Sequence, residues 1–283
     1  MIAPRFPELD PDVIRVTRDA LHAYARVLGG WLTTTRGRRK HWWHASLRPS
    51  LTGLTTGVVH ARIDFELELD FVANQLRVRT TSQEFIENLT GQPAASVASF
   101  LDATLAAIGI DPSPVPGDNV RGDRAFAGYS GEQAANLQNT LASVSAAFTQ
   151  LRAGIPEETS PIQVWPHHFD LSMLWLPGEK IPGQDPADEE HSDKQMNFGF
   201  AFGDEGIDEP YFYVTAYPLP DALPKVELPA GTIWQSEGFS GAVLLYRDLL
   251  QQALPEDYLL NMWRGLLAAG REHLLEDTKL IKQ

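Results

Sequence analysis

The segment ARIDFELELDFVANQLRVRT, residues 61–80, decides the class of fold. Apolar and charged side chains alternate strictly along its first half, and the apolar ones are Ile63, Phe65, Leu67, Leu69 and Phe71. This period of two is typical of a strand with one buried face and one solvated face. After the break at Ala-Asn-Gln, a second strand would set Arg77 and Arg79 near Glu66 and Glu68. The sequence therefore predicts an antiparallel hairpin, and the acidic stripe is interpreted as a solvated face in preference to a metal site.

Helical segments flank the predicted strands. Apolar residues recur at helical spacing after Pro11, Pro93, Ser130 and Pro255. Asp10 followed by Pro11 is typical of an N-cap and first helical position, and Ser130 with Gln133 resembles a capping box. Because strands follow strands and helices bracket them, we predict an α+β fold with mainly antiparallel sheets flanked by amphipathic helices.

The chain divides naturally around a segment rich in proline, glycine and aspartate. We predict a helix, hairpin and helix half over residues 1–115, a connection over 116–129, and a helix, sheet and helix half over 130–283. Each half begins its sheet with Trp-x-His, at Trp42-x-His44 and at Trp165-x-His167. An internal duplication would explain this echo. The two halves could also form one compact domain.

Composition restricts the possible partners. The 283 residues carry a net charge of −14, with no cysteine. The negative charge argues against nucleic acid as a partner, and no apolar run is long enough for a membrane span or a secretory signal. We therefore expect a soluble, cytoplasmic protein without disulfides. The basic run RGRRK, residues 36–40, is interpreted as a solvated connector, with a phosphate-binding loop as the alternative.

Two strand-like segments carry histidine. In SPIQVWPHHFDLSMLW, residues 160–175, a single strand would put His168 and Asp170 on one face with Cβ atoms roughly 6.5–7 Å apart. In KHWWHASLRPS, residues 40–50, His44 and Arg48 would share a face. Arg48 could clamp a carboxylate or phosphate of a ligand, or pair with an acidic side chain of the protein.

Aromatic residues complete the predicted pocket. The tyrosines of one strand lie opposite the small residues Gly199 and Ala201, which could leave an apolar cavity or simply reflect sheet packing. The predicted ligand-binding residues are Trp42, Trp43, Arg48, Trp165, Tyr211, Tyr213 and Tyr217. The nucleophile elbow, the phosphate-binding glycine loop, the dinucleotide fingerprint and the zinc-protease motif are all missing from the sequence, so no cofactor is identified and no metal is assigned.

Four motifs in order resemble a widespread bacterial family of uncharacterised proteins. They are HWWHASLRPSLTGLTTG (41–57), SPIQVWPHHFDLSMLW (160–175), MNFGFAFGDEGIDEPYFYVTAYPLP (196–220) and GFSGAVLLY (238–246), and the resemblance spans approximately residues 20–275. It implies no activity. Many relatives in this resemblance carry a histidine at the position of Gln163 and Gly-Ser at the positions of His167 and His168. A role common to the family would therefore fall on Asp170, His44 and Trp43.

The leading hypothesis is a protein that binds a small molecule where residues 41–49 and 162–175 meet the tyrosine strand. His44 and Asp170 would be its polar anchors. The first alternative is a hydrolase or isomerase in which His168, Asp170 and His44 are catalytic, with His168 as general base, either with or without a metal. The second is a structural protein whose exposed aromatic residues form a homodimer face.

Overall fold

The structure is a computed structural model that describes residues 6–111 and 122–280, with side chains up to residue 275. Its helices are α1 (Pro11–Thr35), α2 (Ala94–Ala107), α3 (Gly131–Ala153), α4 (Glu189–Ser192), α5 (Tyr246–Leu250) and α6 (Pro255–Leu280). Its first strands are β1 (Arg48–Pro49), β2 (Gly53–Thr55), β3 (Phe65–Asp70), β4 (Gln75–Thr80), β5 (Glu84–Asn88) and β6 (Glu158–Thr159). The later strands are β7 (Gln163–Trp165), β8 (Asp170–Leu176), β9 (Gln195–Ala201), β10 (Tyr211–Tyr217), β11 (Thr232–Gln235) and β12 (Gly241–Leu245).

The chain folds as two compact units. Unit 1 comprises Met1–Ser143 and Gln163–Asp170, and unit 2 comprises Val144–Ile162 and Leu171–Gln283. Part of the predicted connection over 116–129 lies outside the described residues, so that boundary stays a prediction. The same holds for the proposed duplication. Helices with two antiparallel sheets confirm the predicted α+β class.

Unit 1 contains a sheet in the order β1-β2-β3-β4-β5, with every neighbouring pair antiparallel. The predicted hairpin is its centre, since β3 pairs with β4 and sets Glu66 opposite Arg79 and Glu68 opposite Arg77. Arg79 forms ion pairs with both glutamates, at 3.1 Å to Glu66 and 2.8 Å to Glu68. Such cross-strand pairs favour this register over its alternatives.

The outer face of β3 is less solvated than its alternation predicts. Glu68 is only 5% exposed, and the hydroxyls of Ser50 and Thr52 stabilise its buried carboxylate by donating to Oε1 at 2.7 and 3.0 Å. Asp70 is likewise buried and pairs with Arg77 at 3.2 Å. The charged stripe is thus a network of hydrogen bonds and ion pairs, and no metal is needed to satisfy it.

Helix α1 begins where its cap predicts. Asp10 Oδ1 accepts hydrogen bonds from the backbone N–H groups of Asp12 at 3.0 Å and Val13 at 3.4 Å, and Pro11 is the first helical residue. These bonds satisfy donors that the first turn of a helix leaves without partners.

We expect Asp10→Ala to lower the free energy of unfolding by about 1 kcal/mol, because this cap is lost. Urea denaturation followed by circular dichroism measures the change. Asp10→Asn keeps a capping oxygen and is the control, with a loss of at most a few tenths of a kcal/mol. Equal loss in both variants would show that the cap is not the cause.

Unit 2 contains a sheet in the order β11-β12-β10-β9-β8-β6. Its core centres on Trp263 of α6, which is fully buried. The indole lies 4.5 Å from the ring of Phe148, 5.9 Å from Phe212 and 6.5 Å from Phe198, measured between ring centroids. This aromatic cluster packs α3 and α6 against β9 and β10.

The described helices do not include one with both the length and the apolar character that crossing a membrane requires. The predicted cytoplasmic location stays a prediction.

Candidate functional site

The predicted strand over residues 41–49 is wrong for most of its length. Lys40–Ala45 form a 3-10 segment, in which His41 (φ 47°, ψ 33°) and Trp42 (φ 59°, ψ 19°) adopt left-handed backbone conformations. Non-glycine residues rarely adopt this conformation, and it is held only where the surrounding structure imposes it. The alternation that put His44 and Arg48 on one strand face therefore does not apply.

In this 3-10 segment, the rings of Trp42 and His44 stack on each other, and the guanidinium of Arg38 lies over the Trp42 ring. The Trp42 indole, 41% exposed, stacks on the His44 imidazole with ring centroids 5.5 Å apart. The Arg38 guanidinium carbon lies 5.5 Å from the centroid of the same indole, a cation–π arrangement. The predicted ligand-binding residue Trp42 thus links His44 to the basic run at residues 36–40.

His44 is a buried, neutral imidazole. Its Nδ1 accepts a hydrogen bond from the backbone N–H of Arg39 at 3.2 Å, which leaves the ring proton on Nε2. Desolvation lowers the pKa of His44, and the charges of Arg38, Arg36 and Arg39 lower it further. His44 therefore presents an N–H donor among positive charges.

Arg48 lies in the same cationic environment. Its Nη1 donates to Ser46 Oγ at 2.8 Å and to Gln163 Oε1 at 3.0 Å. Desolvation, with the charges of Arg36 and Arg39, lowers the pKa of Arg48 to about 10. Among the residues that the structure describes, no carboxylate oxygen lies within 4 Å of its guanidinium nitrogens.

Gln163 of β7 is fully buried, and its side chain positions Ser46 and Arg48 through hydrogen bonds. Its Oε1 accepts from Ser46 Oγ at 2.9 Å as well as from Arg48, and backbone hydrogen bonds join Leu47 and Val164 in both directions. Its Nε2 has no acceptor within the described parts of the chain. A buried donor without an acceptor costs about 1–3 kcal/mol, so it calls for an explanation.

We call Arg36, Arg38, Arg39 and Arg48, together with His44, the arginine cluster. Arg36 donates to the backbone oxygen of Thr56 at 2.8 Å, and desolvation followed by the charge of Arg39 lowers its pKa. The nearby Trp43 is half-buried, and its Nε1 lacks an acceptor among the described residues. Positive charge and N–H donors together make a site suited to an oxyanion.

The predicted strand over residues 162–175 is also interrupted. A turn between β7 and β8 is closed by a 2.7 Å hydrogen bond from Phe169 N to Trp165 O, and Phe169 has a φ of 58°. His167 and His168 are exposed in this turn, whereas Asp170 begins β8 and is 3% exposed. Proline at 166 lacks the N–H that a strand ladder needs, which favours the break.

The turn also contradicts the predicted pairing of His168 with Asp170, because the two side chains would share a face only on one continuous strand. Trp165 is half-buried and lies edge-on to His167, with ring centroids 5.8 Å apart. His44 belongs to the arginine cluster, while His168 is a surface residue and Asp170 a buried one.

The predicted tyrosines belong to unit 2, on β10. Tyr213 pairs with Gly199, and a Cβ on that glycine would lie 2.0 Å from the tyrosine ring. The ring therefore fills the space above Gly199. Tyr211 donates to Asp204 Oδ2 at 2.5 Å, and Tyr217, at the strand end, lies edge-on to His191 at 5.8 Å.

Three residues that could act as metal ligands lie close together on the surface of unit 2. Ligand atoms of Asp188, Glu190 and His191 all lie within 4.8 Å of one another, and all three residues are exposed. His191 Nδ1 and Asp188 Oδ2 are 2.9 Å apart. Exposed acidic groups of this kind commonly occur without a metal, so we assign no metal here.

Sequence reasoning missed Gln163 as a site residue, and it considered Arg36 and Arg39 only within the alternative of a phosphate-binding loop. The signal for these arginines was the basic run at 36–40 in a chain with 37 acidic and 23 basic residues. The spacing around Gln163 gave no signal, because a glutamine in a short apolar strand has no distinctive pattern; the histidine at this position in relatives was the available indication.

Comparison with known proteins identifies a family whose function is unknown. No curated protein and no solved structure shows significant similarity to the chain. A family described as of unknown function, DUF5996, matches residues 6–281, which is nearly the whole chain. The chain therefore belongs to the family of unknown function DUF5996.

Proposed function

We propose that unit 1 binds a small molecule bearing a carboxylate or phosphate group at the arginine cluster. The observation that carries the proposal is the environment of Arg48. Its desolvated guanidinium has neutral hydrogen-bond partners and positively charged neighbours, and no described carboxylate is within ion-pair distance.

This environment is unfavourable without an anion. A desolvated charge destabilises the protein unless it is paired, and the repulsion from Arg36 and Arg39 adds to the penalty. The sequence contains 37 acidic residues, so carboxylates are not scarce. A bound oxyanion would offset the charge of several arginines at once and would form charge-assisted hydrogen bonds.

Neutral donors of the site would add selectivity. Gln163 Nε2 lacks an acceptor among the described residues, and His44 keeps its proton on Nε2. Both are donors, which suits an acceptor-only group such as a carboxylate or phosphate. Trp42 would cover one side with its partly exposed indole.

A hydrolase or isomerase with His168 as base has less support, because His168 and Asp170 no longer share a strand face. Asp170 and the tyrosines of β10 are likewise not part of the proposed site. The proposal is therefore a binding function at a smaller set of residues: Arg36, Arg38, Arg39, Trp42, His44, Arg48 and Gln163.

Arg48→Gln tests the proposal by isothermal titration with inorganic phosphate and with acetate at low ionic strength. We expect the wild-type protein to bind one of the two probes and the variant to bind it at least about tenfold more weakly, as loss of a charged hydrogen bond implies. The variant itself should be no less stable than the wild-type protein without ligand, because it removes a desolvated charge.

Arg15→Gln is the matched control, since Arg15 is an exposed arginine of α1 that pairs with Asp12 at 2.6 Å. It should bind the probe as the wild-type protein does. The proposal is wrong if the wild-type protein binds neither probe, or if Arg48→Gln binds it with undiminished affinity.

A further inference from the structure

A cavity lies within unit 1, away from the hydrogen bonds of Arg48. Its volume is about 360 Å³, and its walls come from the second half of α1, from Ala45 and from the turn after β7. The residues that matter are Arg26, Gly29, Gly30, Thr33, Pro166 and His167. We call this cavity the glycine cleft. Its size is within the usual range for a site that encloses a small organic molecule.

Two consecutive glycines inside α1 form the floor of the glycine cleft. Each glycine in a helix interior costs about 1 kcal/mol relative to alanine, so the pair needs a structural reason. At Gly29 the structural reason is the close approach of Pro166, because a Cβ on residue 29 would lie 2.4 Å from Pro166 Cγ and would clash with it. Gly30 has no side chain to fill the cleft, so the helix backbone is left accessible beside Thr33 and Ala45.

The wall opposite the helix is fixed by hydrogen bonds. Arg26 Nη2 donates to the backbone oxygen of His167 at 3.1 Å, and His22 Nε2 lies 3.1 Å from the same oxygen. The His22 ring also stacks on Phe169, with ring centroids 5.3 Å apart and 13° between the planes. The turn is therefore held in place before any ligand binds, which reduces the entropy cost of binding.

Arg26 supplies a positive charge at the glycine cleft. Its described partner is a neutral carbonyl, and no carboxylate oxygen in residues 6–111 or 122–275 lies within 4 Å of its guanidinium. A guanidinium matches the planar, bidentate geometry of a carboxylate. The remaining walls, which include Pro166, Ala45 and the glycine backbone, are mainly apolar.

We infer that the glycine cleft binds a small organic carboxylate, with its acid group on Arg26 and its apolar body between α1 and Pro166. This site is separate from the oxyanion site proposed at the arginine cluster and does not depend on it.

Benzoate and its neutral analogue benzyl alcohol test the inference by isothermal titration. We expect benzoate to bind the wild-type protein and benzyl alcohol to bind at least about tenfold more weakly, because the charge-assisted hydrogen bonds are lost. Thr33→Phe should abolish benzoate binding by filling the cleft from an exposed helix position. Thr35→Phe makes the same change at an exposed position of α1 outside the cleft and should leave binding unchanged.

Arg48→Gln separates this inference from the proposed function. Benzoate binding that survives Arg48→Gln but is lost in Thr33→Phe supports the glycine cleft. Benzoate binding that survives Thr33→Phe, or an absence of binding to the wild-type protein, would overturn the inference. Circular dichroism of both threonine variants shows whether they fold.

Discussion

Trp263→Ala is expected to lower the free energy of unfolding of the protein by about 3–5 kcal/mol, the usual loss for a buried tryptophan replaced by alanine. Trp263 is fully buried, and its indole contacts the rings of Phe148, Phe198 and Phe212. Alanine would leave a cavity among three rings that belong to different elements, so the surroundings cannot collapse fully around it. Urea denaturation followed by far-ultraviolet circular dichroism measures the loss without relying on tryptophan fluorescence.

Leu254→Ala is the control, because Leu254 is a large apolar residue next to α6 that is 65% exposed. Its loss should stay within about 0.5 kcal/mol, as for most surface substitutions. Similar losses in the two variants would mean that the aromatic cluster is not the core of unit 2.

The stability of unit 1 is expected to fall as the pH is lowered from about 6.5 to about 4, because of His22. Desolvation, followed by the charge of Arg26, lowers the pKa of His22 from 6.5 to about 4, while Asp19 and the backbone of residues 166 and 167 act in the opposite direction. Between these values the unfolded chain binds a proton that the folded protein does not, so stability rises with pH. The contribution is about 2–3 kcal/mol after allowance for partial exposure.

His22→Gln should remove this part of the pH dependence, since glutamine can still donate to the His167 oxygen but does not titrate. His60→Gln is the matched control, because the His60 side chain is 80% exposed. The measurement is the free energy of unfolding in urea at several pH values across that window. A His22→Gln curve parallel to the wild-type curve would contradict the assignment.

Local signals predicted the elements of this fold well. The alternation at residues 61–80 identified β3 and β4 and placed Arg77 and Arg79 near Glu66 and Glu68, because a period of two and a short turn limit the possible registers. Asp10 with Pro11 marked the beginning of α1, since a cap acts only on the first turn. These features depend on residues close together in sequence, which a pattern can encode.

The prediction of one continuous strand was wrong at residues 41–49 and at residues 162–175. Both contain alternating apolar residues, yet His41, Trp42 and Phe169 adopt left-handed conformations that bend the chain. Backbone conformations of this kind depend on long-range packing. The positions of His44, His168 and Asp170 therefore could not be predicted by counting along a strand.

The sequence by itself determined the α+β class, the helix beginnings and the central hairpin, because hydrophobic period and capping act over a few residues. Only the tertiary structure decided which polar groups meet. Gln163 and Arg48 are 115 residues apart in the chain and are joined by a hydrogen bond. The basic run at residues 36–40, interpreted from sequence as a solvated connector, folds back on His44 and Arg48. Such contacts follow from how the elements pack, and no spacing within one segment contains that information.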